Sequence, residues 1–245
     1  MMFYDQSRYT IRCEWGLRGL EALAPLSDVL IIVDVLSFST CVDVATARGA
    51  VIFPYPWRDD AAEAYAKSKN ALLASRTRRF AAGGYSLAPS SLLHIPSGTR
   101  LVLPSPNGST LTRTAATYAK TLTGCLRNAE AVARYAQTQG EAVTVIACGE
   151  RWEQGHDLRP ALENWLGAGA IIASLPGAKS PEARAAVAVF NDARDDLEHL
   201  VKACSSGREL MERGFEEDVD LAVRLNTSSG VPVLVDDAYV CQQST

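Results

Sequence analysis

The chain reads as an α/β protein with a largely parallel or mixed central sheet, helices on both faces, and one domain over residues 1–245. Three observations predict this. Strand-like and helix-like stretches alternate along most of the 245 residues. The run Leu30-Ile31-Ile32-Val33 is unbroken apolar, the pattern of a strand buried on both faces. No internal repeat is present, and no linker separates two domains.

In order, Tyr9 to Trp15 alternates as an opening strand and Val29 to Val35 is the buried one. Ser39 and Thr40 read as caps for a helix over Cys41 to Arg48. Ala50 to Tyr55 is a strand stopped by Pro54 and Pro56, and Asp59 to Lys69 has helical spacing with two acids in its first turn. Ala71 to Ala74 is a short strand. Residues 76 to 98, rich in Gly, Ser, Pro and Arg, form a loop long enough to suggest function.

Thr99 to Leu103 is a strand, and after Pro104 to Thr110 a helix runs to Ala119. Lys120 to Cys125 and Val143 to Cys148 are strands, with a helix over Asn128 to Gln137 between them. Leu158 to Ser174 reads as a helix with Pro160 in its first turn, and Pro181 to Val201 as one long Ala-rich helix. Ser206 to Arg213 and Glu216 to Leu225 are shorter helices, and Val231 to Val235 is a last strand.

Composition narrows the function. The chain is 47% apolar and 21% charged, and at this length it buries roughly 70–75% of its unfolded surface, enough to fold without disulfides or structural metal. A net charge of −4 argues against general nucleic-acid binding. The six cysteines form no CxxC pair and read as free thiols in a reducing compartment. No stretch has the length of a membrane helix, and the first residues lack the pattern of a signal peptide, so a cytoplasmic protein is expected. The three histidines, His94, His156 and His199, have no zinc spacing.

Three strand-end loops carry candidate chemistry: Asp34 with Ser39 and Thr40, Asn107-Gly108-Ser109-Thr110, and Cys148-Gly149-Glu150. In a parallel sheet such loops share one edge. The second loop offers hydroxyls and the free N–H groups of a helix start to an anion, or else Asn107 or Ser109 simply caps that helix. Carboxylates at Asp34, Glu150, Glu163, Asp192 and Asp218 are hard oxygen donors of the kind Mg²⁺ takes. Asp34 stands out because an apolar strand surrounds it and a buried charge needs a partner.

Several segments taken in order resemble the 2-phosphosulfolactate phosphatases, the ComB family. They are Val33 to Thr40 followed by Arg48-Gly49-Ala50, Gly84 to Ser90, Pro106 to Thr110, Leu126 to Ala129, Cys148-Gly149 with Leu162-Glu163-Asn164, and Gly214 to Leu225. The resemblance implies a Mg²⁺-dependent phosphatase that converts 2-phospho-3-sulfolactate to 3-sulfolactate and phosphate, a step towards coenzyme M. By position it implies Asp34 and Glu163 as catalytic and Asp34 and Asp218 as metal ligands. It also implies Ser39, Thr40, Asn107, Gly108, Ser109, Thr110, Asn128 and Arg76 as substrate or phosphate contacts.

The chain departs from the family at Ser37-Phe38, where Arg-Ala is usual, at Ala74-Ser75 before Arg76, and at Glu163, where Asp is usual. Asp34 is left as ligand, nucleophile or base, and Arg76, Arg78 and Arg79 are candidates for the substrate's acidic end. The expected partner is a small anionic phosphoester, with no nucleic acid or membrane, in a homodimer. The rival readings are a non-catalytic binder of an anionic metabolite, which Ser37-Phe38 motivates, and a dinucleotide oxidoreductase, which lacks its glycine motif.

Overall fold

The computed structural model describes residues 3–56, 61–75, 77–78, 84–153 and 157–243. The first half of the chain forms β1 (Ile11–Trp15), α1 (Gly16–Leu23), β2 (Val29–Val33), α2 (Phe38–Ala47), β3 (Val51–Tyr55), α3 (Ala61–Ser68), β4 (Leu72–Leu73), β5 (Arg100–Pro104), α4 (Gly108–Ala115) and β6 (Lys120–Gly124). The second half forms α5 (Ala129–Gln137), β7 (Val143–Ala147), β8 (Glu150–Arg151), β9 (Leu158–Arg159), α6 (Leu162–Ala173), α7 (Pro181–Ala193), α8 (Leu197–Ala203), α9 (Ser205–Glu212), α10 (Glu216–Ala222), β10 (Gly230–Val235) and β11 (Ala238–Gln243).

Among the described residues, nine strands join one mixed sheet in the order β1-β7-β2-β6-β10-β11-β3-β5-β4. The α/β expectation holds, but the sheet is two parallel halves joined by an antiparallel hairpin. Strands β1, β7, β2 and β6 are mutually parallel, as are β3, β5 and β4. The β10–β11 hairpin lies antiparallel to β6 on one side and to β3 on the other, so the two halves run in opposite senses. The hairpin turns at Asp236 and Asp237, both at positive φ (46° and 70°), the conformation of a two-residue turn whose twist matches its strands. Sequence reading found β10 and missed β11, for which this Asp-Asp pair between apolar runs was the available signal.

Alternation along β2 explains why helices cover both faces. Val29, Ile31 and Val33 point into a core shared with α5, α6 and α7, while Leu30 and Ile32 pack with Leu20, Leu111 and Ile146 under α1 and α4. A separate cluster seats α2 on β3, β5 and Tyr239.

Two expected helices differ. Leu158 and Arg159 do not begin a helix but pair with Arg151 and Glu150 as β9 on β8. Pro160 disfavours helical backbone at the residue before it, so α6 starts only at Leu162. The expected helix over Pro181 to Val201 is broken by a tight turn at Arg194–Asp196, and Asp196 then stands before α8. Aspartate competes for nearby backbone groups and favours such starts. Ser180 caps α7 by accepting a hydrogen bond from the Ala183 N–H. Asp59 and Asp60, expected at the start of α3, lie outside the described residues.

Helices α6 and α7 approach closely at Gly169, where an added Cβ lies 2.2 Å from Ala186 O and 2.7 Å from Phe190 Cβ. The contact is with backbone, which cannot swing aside. Gly169→Ala is expected to lower stability by about 2 kcal/mol despite the better helix propensity of alanine. A urea midpoint at or above that of the parent chain contradicts this packing.

Candidate active site

Asp34 follows β2 and is 4% exposed. The backbone N–H groups of Phe38 and of Gly108, the first residues of α2 and α4, face its carboxyl and favour the ionised form. One acid therefore answers the free N–H groups and positive ends of two helices. The helices come from opposite-running half-sheets, so the loops meet because two helices converge on one acid rather than because their strands share an edge.

Gly108 is required for this approach. A Cβ there falls 2.2 Å from the Phe38 ring. Phe38 itself is fully buried and packs edge-on against Tyr239, with ring centroids 6.2 Å apart, so it fills core beneath the cleft and does not block it.

The third loop arrives with Glu150, whose Oε2 accepts a 3.0 Å hydrogen bond from Asn107 Nδ2. Glu163, in the first turn of α6 and 1% exposed, completes an acidic group with Asp34 and Glu150. Burial pushes the Asp34 carboxyl up to about 6; the charge of Glu163 adds to this, and the two helix amides and Arg78 oppose it. Burial pushes half-buried Glu150 up to about 8, with Asp34 and Glu163 adding and Arg159 and Asn107 opposing. A groove of about 330 Å³ runs outward from Asn107 and Glu150 past Trp15, Arg18, Leu111 and Leu158.

Arg78 brings a positive charge near Asp34. It donates to Asp218 Oδ2 at 3.0 Å and to Ser37 Oγ at 2.8 Å, and it lies over the Phe215 ring at 5.5 Å. Asp218 is 1% exposed, and its other oxygen accepts from the Ser90 N–H at 2.9 Å. Arg78 thus brings a guanidinium to Ser37 from the long loop. The Leu36–Ser37 peptide beside it is cis.

The expected site residues divide accordingly. Asp34, Glu163, Asn107 and Gly108 converge. Asp218 lies at the site, but both its oxygens hold Arg78 and the Ser90 loop, so its role here is to anchor the arginine.

Ser39 and Thr40 are not helix caps. Both are fully buried inside the first turn of α2, which starts three residues earlier than expected. Ser39 Oγ accepts from the Asp34 N–H at 2.9 Å and lies 2.7 Å from Thr123 Oγ1. Thr40 Oγ1 donates to Val35 O at 2.7 Å. Ser109 and Thr110 likewise donate to Leu103 O and Pro106 O, at 3.1 and 2.8 Å. Neither Asn107 nor Ser109 caps α4; the Gly108 N–H reaches Ser105 Oγ at 3.1 Å as well as Asp34.

Asn128 is fully buried away from these acids, accepting from the Cys125 N–H and donating to Gly230 O. Arg76, Arg79 and His156 lie outside the described residues. His94, His199 and Asp192 are exposed, and all six cysteines are free. Sequence reasoning undervalued Glu150, which opens the two-residue strand β8, too short to leave a pattern in the sequence, and gains significance only from the acids beside it.

Hard oxygen donors of this kind suit Mg²⁺, and Glu163 Oε1 is buried with no hydrogen-bond partner, leaving an oxygen for a cation. Among the described residues no three His, Cys, Asp or Glu side chains close a cage by themselves. Mg²⁺ does not require one, since it usually rests on one or two carboxylates with water and substrate phosphate. The donor set fits.

A family model described as 2-phosphosulpholactate phosphatase matches residues 20–237. A 2-phosphosulfolactate phosphatase of Methanothermobacter thermautotrophicus is 30% identical over 216 residues, covering 86% of this chain and 88% of the relative. A probable 2-phosphosulfolactate phosphatase of Pseudothermotoga lettingae is 26% identical over 215 residues, 87% of this chain and 92% of its own length.

The raised Glu150 carboxyl has a consequence for stability. Its folded-state value, about 8, exceeds the ordinary 4.5, so the folded chain holds a proton that the unfolded chain releases in between. Stability therefore falls as pH rises through that window. Glu150→Gln is expected to raise Tm near pH 8 in metal-free buffer, with a gain that fades towards pH 5. A gain independent of pH removes Glu150 from the acidic group.

Proposed function

The chain belongs to the 2-phosphosulpholactate phosphatase family, and from that premise we propose that it releases phosphate from 2-phospho-3-sulfolactate, leaving 3-sulfolactate, in a Mg²⁺-dependent reaction. The reading rests on one observation: three acids, Asp34, Glu150 and Glu163, gather where two helices begin, with the guanidinium of Arg78 near Asp34. A phosphate dianion does not enter such a group without a cation. Asp34 and Glu163 would hold the Mg²⁺. When bound, the ion supplies charge neutralisation at the phosphoryl oxygens and an acidified water.

The remaining roles belong to the chain's own side chains. Glu150, protonated through neutral pH by its surroundings, donates a proton to the ester oxygen as the alcohol leaves. Asn107 holds it in place for that transfer. Asp34 and Glu150 are acids of one site whose environments hold their carboxyls near 6 and near 8, the separation that distinguishes an ionised ligand from a proton donor. Arg78, fixed by Asp218 and Ser37, meets the carboxylate or sulfonate end of the substrate through a planar fork of donors. Because Phe38 is packed in core, it gives no support to a non-catalytic binder.

The working form would be a cytoplasmic homodimer taking a small anionic substrate rather than nucleic acid, at a step towards coenzyme M. The free cysteines support a reducing compartment. Among the described residues no helix is long and apolar enough to cross a membrane.

Purified protein is expected to release phosphate from 2-phospho-3-sulfolactate with Mg²⁺ present, and EDTA is expected to stop it. Asp34→Asn should abolish turnover, while Arg78→Ala should raise KM by about tenfold or more, the loss of a charged hydrogen bond. Full activity of Asp34→Asn, or turnover untouched by EDTA, refutes the assignment.

A further inference from the structure

Glu163 is held by a residue that the proposed reaction leaves unused. Cys204 lies at the junction of α8 and α9, partly exposed, with its Sγ 3.4 Å from Glu163 Oε2. The sulfur also accepts from the Gly207 N–H at 3.4 Å, which seats it at the start of α9. Among the described residues, this is the cysteine whose thiol meets a side-chain carboxylate. The other oxygen of Glu163, Oε1, is the buried atom without a partner.

We propose that Cys204 is a positioning residue for the phosphatase site: its S–H, donated to Glu163 Oε2, fixes the Glu163 side chain so that Oε1 stays open to the acidic cleft. This rests on the function proposed above. A thiol offers Glu163 one neutral S–H donor, partly buried at the junction of the two helices. A weak, neutral donor suits the role. It orients the carboxylate without cancelling its charge, as a lysine there would.

The thiol has one hydrogen and a competing acceptor, Val201 O at 3.1 Å. Infrared spectroscopy of the S–H stretch separates the two. If the proton lies on Glu163, Glu163→Gln shifts the Cys204 band, identified by its loss in Cys204→Ala; if it lies on Val201 O, the band stays and the proposal falls. This readout needs no turnover, so it stands even if the chain hydrolyses no phosphoester, an outcome that overturns the assigned function instead.

With active enzyme, Cys204→Ala is expected to lower kcat about tenfold with KM little changed, the size of effect seen when a supporting partner is lost. Cys204→Ser, which keeps a donor, is expected to restore most of it. Wild-type kcat in Cys204→Ala, or equal losses in the alanine and serine variants at matched Tm, overturns the positioning role.

Discussion

The arrangement depends on one carboxylate answering two helix starts. Buried on both faces, β2 offers water no access along its length, and the chain leaves it at an acid. Such a charge is tolerated only with compensation. The compensation comes from the N–H groups that open α2 and α4. Because α2 leads from one half-sheet to the other and α4 leads back, their convergence on Asp34 ties together two half-sheets that are also joined by the β10–β11 hairpin and by the Arg78–Asp218 pair. The site and the junction of the fold are therefore the same place.

The hydroxyls around that acid serve the junction. Ser39, Thr123 and Ser109 hold strand ends against helix starts, and none is exposed. Buried ion pairs do the same on a larger scale. Arg78 with Asp218 secures the long loop and α10, and Arg127 with Asp43, at 2.8 Å, secures α2 to the turn that Asn128 closes. A pair of this kind costs desolvation and adds little net stability, yet losing one partner strands the other charge. What the Arg78–Asp218 pair provides here is location: it holds a guanidinium at Ser37, near Asp34.

Much of this was legible in the chain. A buried strand ending in a lone acid marked Asp34, and the Asn-Gly turn before a helix marked the second loop, because both are local patterns with local physical causes. The small-anion reading followed from them and from the ordered resemblance. What was not legible depended on who meets whom. Ser39 and Thr40 have the composition of caps, but only the pairing of β2 with β6 brings Thr123 beside Ser39. Asp218 looks like a metal ligand until Arg78 is placed against it. Strand β11 was missed because its turn uses two aspartates where glycine or asparagine is the stronger signal. The opposite sense of the two half-sheets rests on single register contacts at each side of the hairpin, Val233 with Leu122 and Tyr239 with Ile52, which no local pattern encodes.

The cleft's charge balance then constrains what it binds. Among the described residues, the charges of the neighbouring acids add to burial in raising the Asp34 and Glu150 carboxyls, and Arg78 and Arg159 only partly oppose them. Phosphate-binding loops that work through backbone N–H groups alone spend those groups on the anion. Here the foremost N–H groups of α2 and α4 are already spent on Asp34, and the hydroxyls of the Asn107 loop on backbone carbonyls. Little remains for direct phosphate contact at that floor. An anion enters such a place only with a cation that reverses the sign of the potential, and its far end then meets Arg78. The proposed metal dependence thus rests on how the fold satisfies its own buried acid.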